Sequence, residues 1–241
     1  VNKLLITGCF ILFSLRCFAT CIAIYLAPNG HIYVAADSRR TFYFDDDKAR
    51  FETICKIHHV GNSYFAVAGI DDEGLTNGAS LALEETGNID DALKVFGAAM
   101  CRRYTQLMSD ARQLYPERFK KFLSDGLAEV SFFGFYDGKP KIQDVEFRLR
   151  LDKKNQVVVS YEIQSVGYFT VIGMSNDIFD GADSGMPDKQ VMLQNPVLYV
   201  EGLVKLEARK HPLSVGEPID LLELKPEGVV WIRKNETTSS S

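Results

Sequence analysis

CIAIYLAPNGHIYVAADSRR, residues 21–40, holds two short apolar runs separated by Pro28-Asn29-Gly30. The first, CIAIYLA, is rich in β-branched and aromatic side chains, and the second, HIYVAA, follows directly after the break. Strand-forming runs on either side of a Pro-Asn-Gly turn predict a β-hairpin. Asp37-Ser38-Arg39-Arg40 ends its second strand with a cluster of polar and charged groups.

The residues before this hairpin have a different character. Lys3 precedes an uncharged apolar run, residues 4–15, and Arg16-Cys17-Phe18-Ala19 ends it with a small-x-small pattern. This is the layout of a signal peptide cut after Ala19. Twelve residues are too few to span a bilayer comfortably. Membrane contact is therefore expected only transiently, through residues 1–19, and the location of the mature chain is expected to be extracytoplasmic, either secreted or periplasmic. The remaining 222 residues suit a single domain, assigned here to residues 20–234, with a polar and disordered tail at 235–241.

Composition narrows the function. The chain has 241 residues, 46% hydrophobic and 24% charged, with a formal net charge of −5. No basic stripe supports binding to nucleic acid. Of five cysteines, Cys21, Cys55 and Cys101 lie beyond the signal segment, and no Cys/His spacing predicts a zinc site. No nucleotide or flavin signature is present either, so neither a metal nor any other cofactor is expected. Asp45-Asp46-Asp47 reads as a solvated loop because nothing around it completes a calcium loop.

Beyond the hairpin, strand-like runs are expected at 53–58 and 63–68, then helices at 75–86 and 89–115 with Asn88 as N-cap. Strands return at 127–135, 141–149, 156–164 and 168–172. A helix over 191–210 and a closing hairpin, 219–224 with 229–232, complete the chain. The fold class is α+β, and helices grouped between two sets of antiparallel strands suit a four-layer α-β-β-α sandwich.

The stretch PNGHIYVAADSRR, one strand after a cleavable N-terminus, resembles the opening of proteasome β-subunits and their bacterial ATP-dependent relative, within the N-terminal-nucleophile (Ntn) hydrolases. Cys55-Lys56-Ile57, YFAVAG at 64–69 and VGEPIDLLELKPEGVVW at 215–231 continue the resemblance. It implies a hydrolase of peptides or small amides, working as a possible homo-oligomer. Its nucleophile would be the side chain of the first mature residue, with that residue's own α-amine as base. Cleavage after Ala19 makes Thr20 the nucleophile. The family spacing to the aspartate, here Asp37, instead selects Cys21, and Thr20 needs one extra residue in the hairpin, which a bulge could supply. Both candidates stay open.

The resemblance gives Asp37 an electrostatic role and places Ser38 and Arg39 in the substrate cleft. It puts backbone N–H groups near Gly69 at the oxyanion. The family's lysine falls on Thr53. Lys56 lies three residues on, a shift that reverses the face of a strand, so it takes the role only if the local register differs. Ser175 follows an interrupted Gly turn, Ile172-Gly173-Met174, and Ser214 follows a histidine, His211, at the family's acidic position. The departures make a second expectation reasonable: a catalytically inactive, subunit-like protein that binds or assembles.

Overall fold

A computed structural model describes residues 20–43, 49–70, 72–175, 178 and 189–235. The expected signal segment, the acidic run 45–47 and the tail beyond Asn235 lie outside the described residues.

The first hairpin forms as the sequence predicts. Strand β1 (Cys21–Leu26) pairs antiparallel with β2 (Ile32–Asp37), in an even register from Ile22 opposite Ala36 to Leu26 opposite Ile32. At the turn, Gly30 N–H donates to the Ala27 carbonyl and Gly30 adopts a φ of 82°, which glycine accepts without a Cβ penalty. Five residues, Ala27 to His31, separate the paired strand ends, and Ala27 N–H donates to the His31 carbonyl within them. The β1–β2 pairing runs without a register shift, so the strands hold no bulge of the kind that a Thr20 start was expected to use.

Two five-stranded antiparallel sheets organise the chain. In one the order is β10 (Phe169–Gly173), β1, β2, β11 (Ile219–Lys225), β12 (Gly228–Arg233). In the other it runs β5 (Ile57–Val60), β6 (Ser63–Gly69), β7 (Ala128–Tyr136), β8 (Lys139–Leu151), β9 (Val157–Ser165). A separate hairpin, β3 (Arg39–Tyr43) with β4 (Ala49–Thr53), lies between β2 and β5 in the chain.

Three apolar cores explain the patterns of the strands. Helices α1 (Asp72–Thr86), α2 (Ile89–Leu114) and α3 (Pro116–Asp125) bury Phe96 and Tyr104 against Phe132 and Phe147 of β7 and β8. A second core joins the two sheets, with Ile22, Ile24 and Val34 meeting Ala66, Ala68 and Phe133. The third lies under α5 (Pro196–Lys210), which follows the short α4 (Lys189–Gln194), and there Cys21, Ala23 and Tyr25 meet Tyr199 and Leu203. Since β1 is buried on both faces, it reads as a continuous apolar run; β7 puts Val130 and Phe132 toward the helices and Phe133 toward the other sheet.

The structure is mixed α and β with antiparallel sheets, as expected, and four local expectations change. Residues 53–58 do not form one strand: β4 ends at Thr53, residues 54–56 cross between sheets, and β5 begins at Ile57. No strand was expected over 41–52, where the β3–β4 hairpin forms. Helix α3 was not expected, because Tyr115-Pro116 looks like a stop, yet proline at the first helical position is well tolerated. The helix expected over 191–210 breaks at Asn195-Pro196, where Asn195 caps α5 by accepting from Leu198 N–H. Asn88 caps α2 as expected, accepting from Asp91 N–H at 2.9 Å.

Candidate active site

The end of the first hairpin brings three of the candidate residues together. Lys56 Nζ donates to Thr20 Oγ1 at 2.8 Å and to the two Asp37 carboxylate oxygens at 3.0 and 3.1 Å. All three side chains are buried, Asp37 and Lys56 at 0% and 4% exposure. A buried ion pair needs further hydrogen bonds to offset its desolvation, and Asp37 has them. Its Oδ1 accepts from Cys21 N–H at 2.8 Å, and Gly216 N–H supplies another. Burial pushes the Asp37 carboxyl up from its ordinary value, against the Lys56 ammonium and these two backbone donors.

Lys56 reaches this position because residues 54–56 are not a strand. Ile54 N–H donates to the Ser38 carbonyl at 2.8 Å, which ties the crossing segment to the end of β2. A count of alternating faces along residues 53–56 therefore does not apply. The spacing from Asp37 to Lys56 exceeds the family's by three residues, and the β3–β4 hairpin lies within that interval. Thr53, at the family's lysine position by spacing, ends β4 opposite Arg39.

Thr20 and Cys21 have different surroundings. Thr20 presents its hydroxyl to Lys56. Cys21 has no exposed surface and its side chain belongs to the core under α5. Burial, reinforced by the Asp37 and Glu207 carboxylates, pushes its thiol well above the ordinary value, the opposite of what an activated thiolate needs.

Ser38 and Arg39 lie beyond Asp37. Ser38 is fully buried and donates from Oγ to Asp220 Oδ2 at 2.8 Å, so the structure places it inside the fold and away from any open cleft. The Arg39 guanidinium lies 4.7 Å from the Phe51 ring centre, bonds the Pro212 carbonyl and packs against Gly216. It helps line a pocket of about 440 Å³ with Lys205, Arg209 and Glu217.

The other flank of Thr20 is backbone. Its carbonyl accepts from Met174 N–H at 2.7 Å. Gly173 has a φ of 86°, and a Cβ there would stand 2.2 Å from the Thr20 oxygen and 3.2 Å from the Ala68 side chain. The position therefore requires glycine, and the end of β6 lies beside Thr20. Gly69, the next residue, has a φ of 139°, and a Cβ would meet Ala128 Cα at 2.5 Å. Ser175 is partly buried just beyond, its carbonyl accepting from Ile178 N–H. Ser214 is buried in the turn after α5.

One neighbour was missed in the sequence. Glu129 Oε2 of β7 accepts from Gly173 N–H at 2.6 Å. Burial is the main cause that pushes this carboxyl up to about 7. The signal was an acid at a face position shared with Phe133, in a strand otherwise rich in apolar residues.

No protein-family model matches the chain, and no match was found among the curated proteins compared with it. Among solved structures it is similar to eukaryotic HslV from Trypanosoma brucei, with a TM-score of 0.43 and 10% identity over 86% of this chain and 99% of that one. An overlap this loose carries no weight for the chemistry. In its opening motif the chain resembles the proteasome-like Ntn hydrolases.

Proposed function

We propose that this chain is an Ntn hydrolase of peptide or small-amide bonds, built as a four-layer α-β-β-α sandwich, with Thr20 as its nucleophile. The observation that carries this reading is the Lys56 ammonium held between Thr20 Oγ1 and the Asp37 carboxylate. Cleavage between Ala19 and Thr20 creates an α-amine whose ordinary pKa near 8 lets it act as base at neutral pH. That amine takes the hydroxyl proton while the Lys56 ammonium stabilises the developing alkoxide, and Asp37 keeps the ammonium charged and in place. Oγ1 attacks the substrate carbonyl, and backbone N–H groups at the end of β6, around Gly69, receive the oxyanion. The amine then returns its proton to the leaving nitrogen, and water hydrolyses the acyl-enzyme.

The signal-like segment 1–19 supports an exported enzyme, and the resemblance supports assembly as a homo-oligomer. An inactive, subunit-like binding protein is the second reading, favoured by Met174, which interrupts the family's serine-containing Gly turn, and by His211 at the family's acidic position.

A β-lactone probe that acylates activated hydroxyls tests the proposal. The mature protein should take up one equivalent on Thr20, and Thr20→Ala should take up none. Labelling elsewhere, or none on a chain that begins at Thr20, would favour the inactive reading.

A further inference from the structure

Glu129 stands out among the groups that the proposed mechanism leaves unused. Its carboxylate reaches from one sheet to the other, where it takes the N–H of Gly173 at the end of β10. A second acid repeats the pattern two register positions along, since Asp144 of β8, opposite Ser131, accepts from Thr170 Oγ1 of β10. These two side chains connect the inner faces of the sheets through β10, the strand paired with β1 from Cys21 opposite Gly173 to Tyr25 opposite Phe169.

We propose that Glu129 is a positioning residue for Thr20: by holding the Gly173 amide it fixes the turn from which Met174 N–H grips the Thr20 carbonyl. The chain of contacts is short and continuous. Glu129 bonds Gly173 N–H, Gly173 fits against the Thr20 carbonyl too closely for any side chain, and Met174 N–H bonds that same carbonyl. A displacement of this turn would shift the Thr20 carbonyl relative to Lys56, which is anchored through Asp37 and residue 54. Asp37 also holds the neighbouring Cys21 N–H, so the Glu129 side and the Asp37 side grip the same peptide from two directions.

The charge state of Glu129 sets the strength of its hold, because an ionised acceptor makes a stronger bond to N–H than a neutral one. The groups facing it are Asp144, Glu146 and Arg148, all from β8. Strands β6 and β10 bring no charged residue within their ranges. Burial and the two acids resist ionisation, while Gly173 N–H and Arg148 favour it, so the carboxyl titrates at about 7. Below that, the Gly173 amide faces a neutral acid and the grip on Thr20 loosens.

The consequence for catalysis rests on Thr20 being the nucleophile, so the test has two readouts that can fail separately. The amide shifts of Gly173 and Met174, followed by NMR in the unreacted wild-type protein, should titrate together near neutral pH, and in Glu129→Gln that titration should vanish. In β-lactone labelling, Glu129→Gln should lower the maximal rate by about tenfold with little change in the probe's half-saturating concentration. It should also remove one acidic limb of the rate profile, leaving the limb of the α-amine. Gly173 and Met174 shifts that stay flat through neutral pH, or a Glu129→Gln profile superimposable on wild type, would overturn the proposal. Titration of both amides in a mature protein that takes up no label would uphold the hold on the turn and sink only the proposed function.

Discussion

Thr20 is flanked by two carboxylates whose circumstances differ, Asp37 fully buried and Glu129 partly buried. On one side Asp37 faces a lysine and two backbone N–H groups, so its charge is matched by donors. On the other, Glu129 has one N–H and an arginine, set against two neighbouring acids. Both are pushed up by burial, but only at Asp37 does a cation make direct contact with the carboxylate. Under the proposed function the contrast is a division of labour: a fixed charge pair beside the hydroxyl, and a titratable hold on its backbone.

The largest expected effect follows from breaking the matched side. Lys56→Met leaves Asp37 as a buried carboxylate without its cation, which should cost about 3–5 kcal/mol in denaturant unfolding. Labelling of Thr20 should fall by at least about a hundredfold. Adding Asp37→Asn to that variant should recover much of the stability but none of the labelling. Full recovery of both would mean that the pair is structural only.

Gly173→Ala probes the backbone that the two flanks share. A methyl group 2.2 Å from the Thr20 oxygen, at a left-handed φ, should cost about 2–4 kcal/mol and slow labelling. An alanine variant as stable and as reactive as wild type would contradict the close approach.

The Glu129 side has a pH signature of definite sign. A carboxyl raised to about 7 in the folded state, from an ordinary value near 4.5, binds more protons folded than unfolded. Its contribution is therefore fully present below about pH 4.5 and is lost as pH rises through 7, by up to about 3 kcal/mol. Glu129→Gln should thus unfold at a higher temperature than wild type at pH 8 and show little advantage at pH 4. A pH-independent difference would remove the titration argument. The smallest effect belongs to Cys21→Ala, which should cost about 1–2 kcal/mol of packing and leave labelling intact.

The sequence made much of this legible where the determinants were local. The Pro28-Asn29-Gly30 turn, the doubly buried runs of β1 and β2 and the Asn88 cap each rest on a few adjacent residues. Lys56 was harder to place. Ile54-Cys55-Lys56 alternates like a strand, and only the crossing between sheets, fixed by the Ile54–Ser38 hydrogen bond, brings its amine to Thr20. Helix α3 was hidden by Pro116, a residue that both ends and begins helices. Glu129 was invisible as a site residue because its partner, Gly173, is 44 positions away and contributes only an amide.

The central claim, that Thr20 is an N-terminal nucleophile, is tested most directly by the intact mass of the protein recovered from its native kind of host, before and after β-lactone treatment. The account predicts a chain that begins at Thr20 and gains one probe mass, located on that residue by fragmentation. An uncut chain, or one that begins at Cys21 or later, would contradict it.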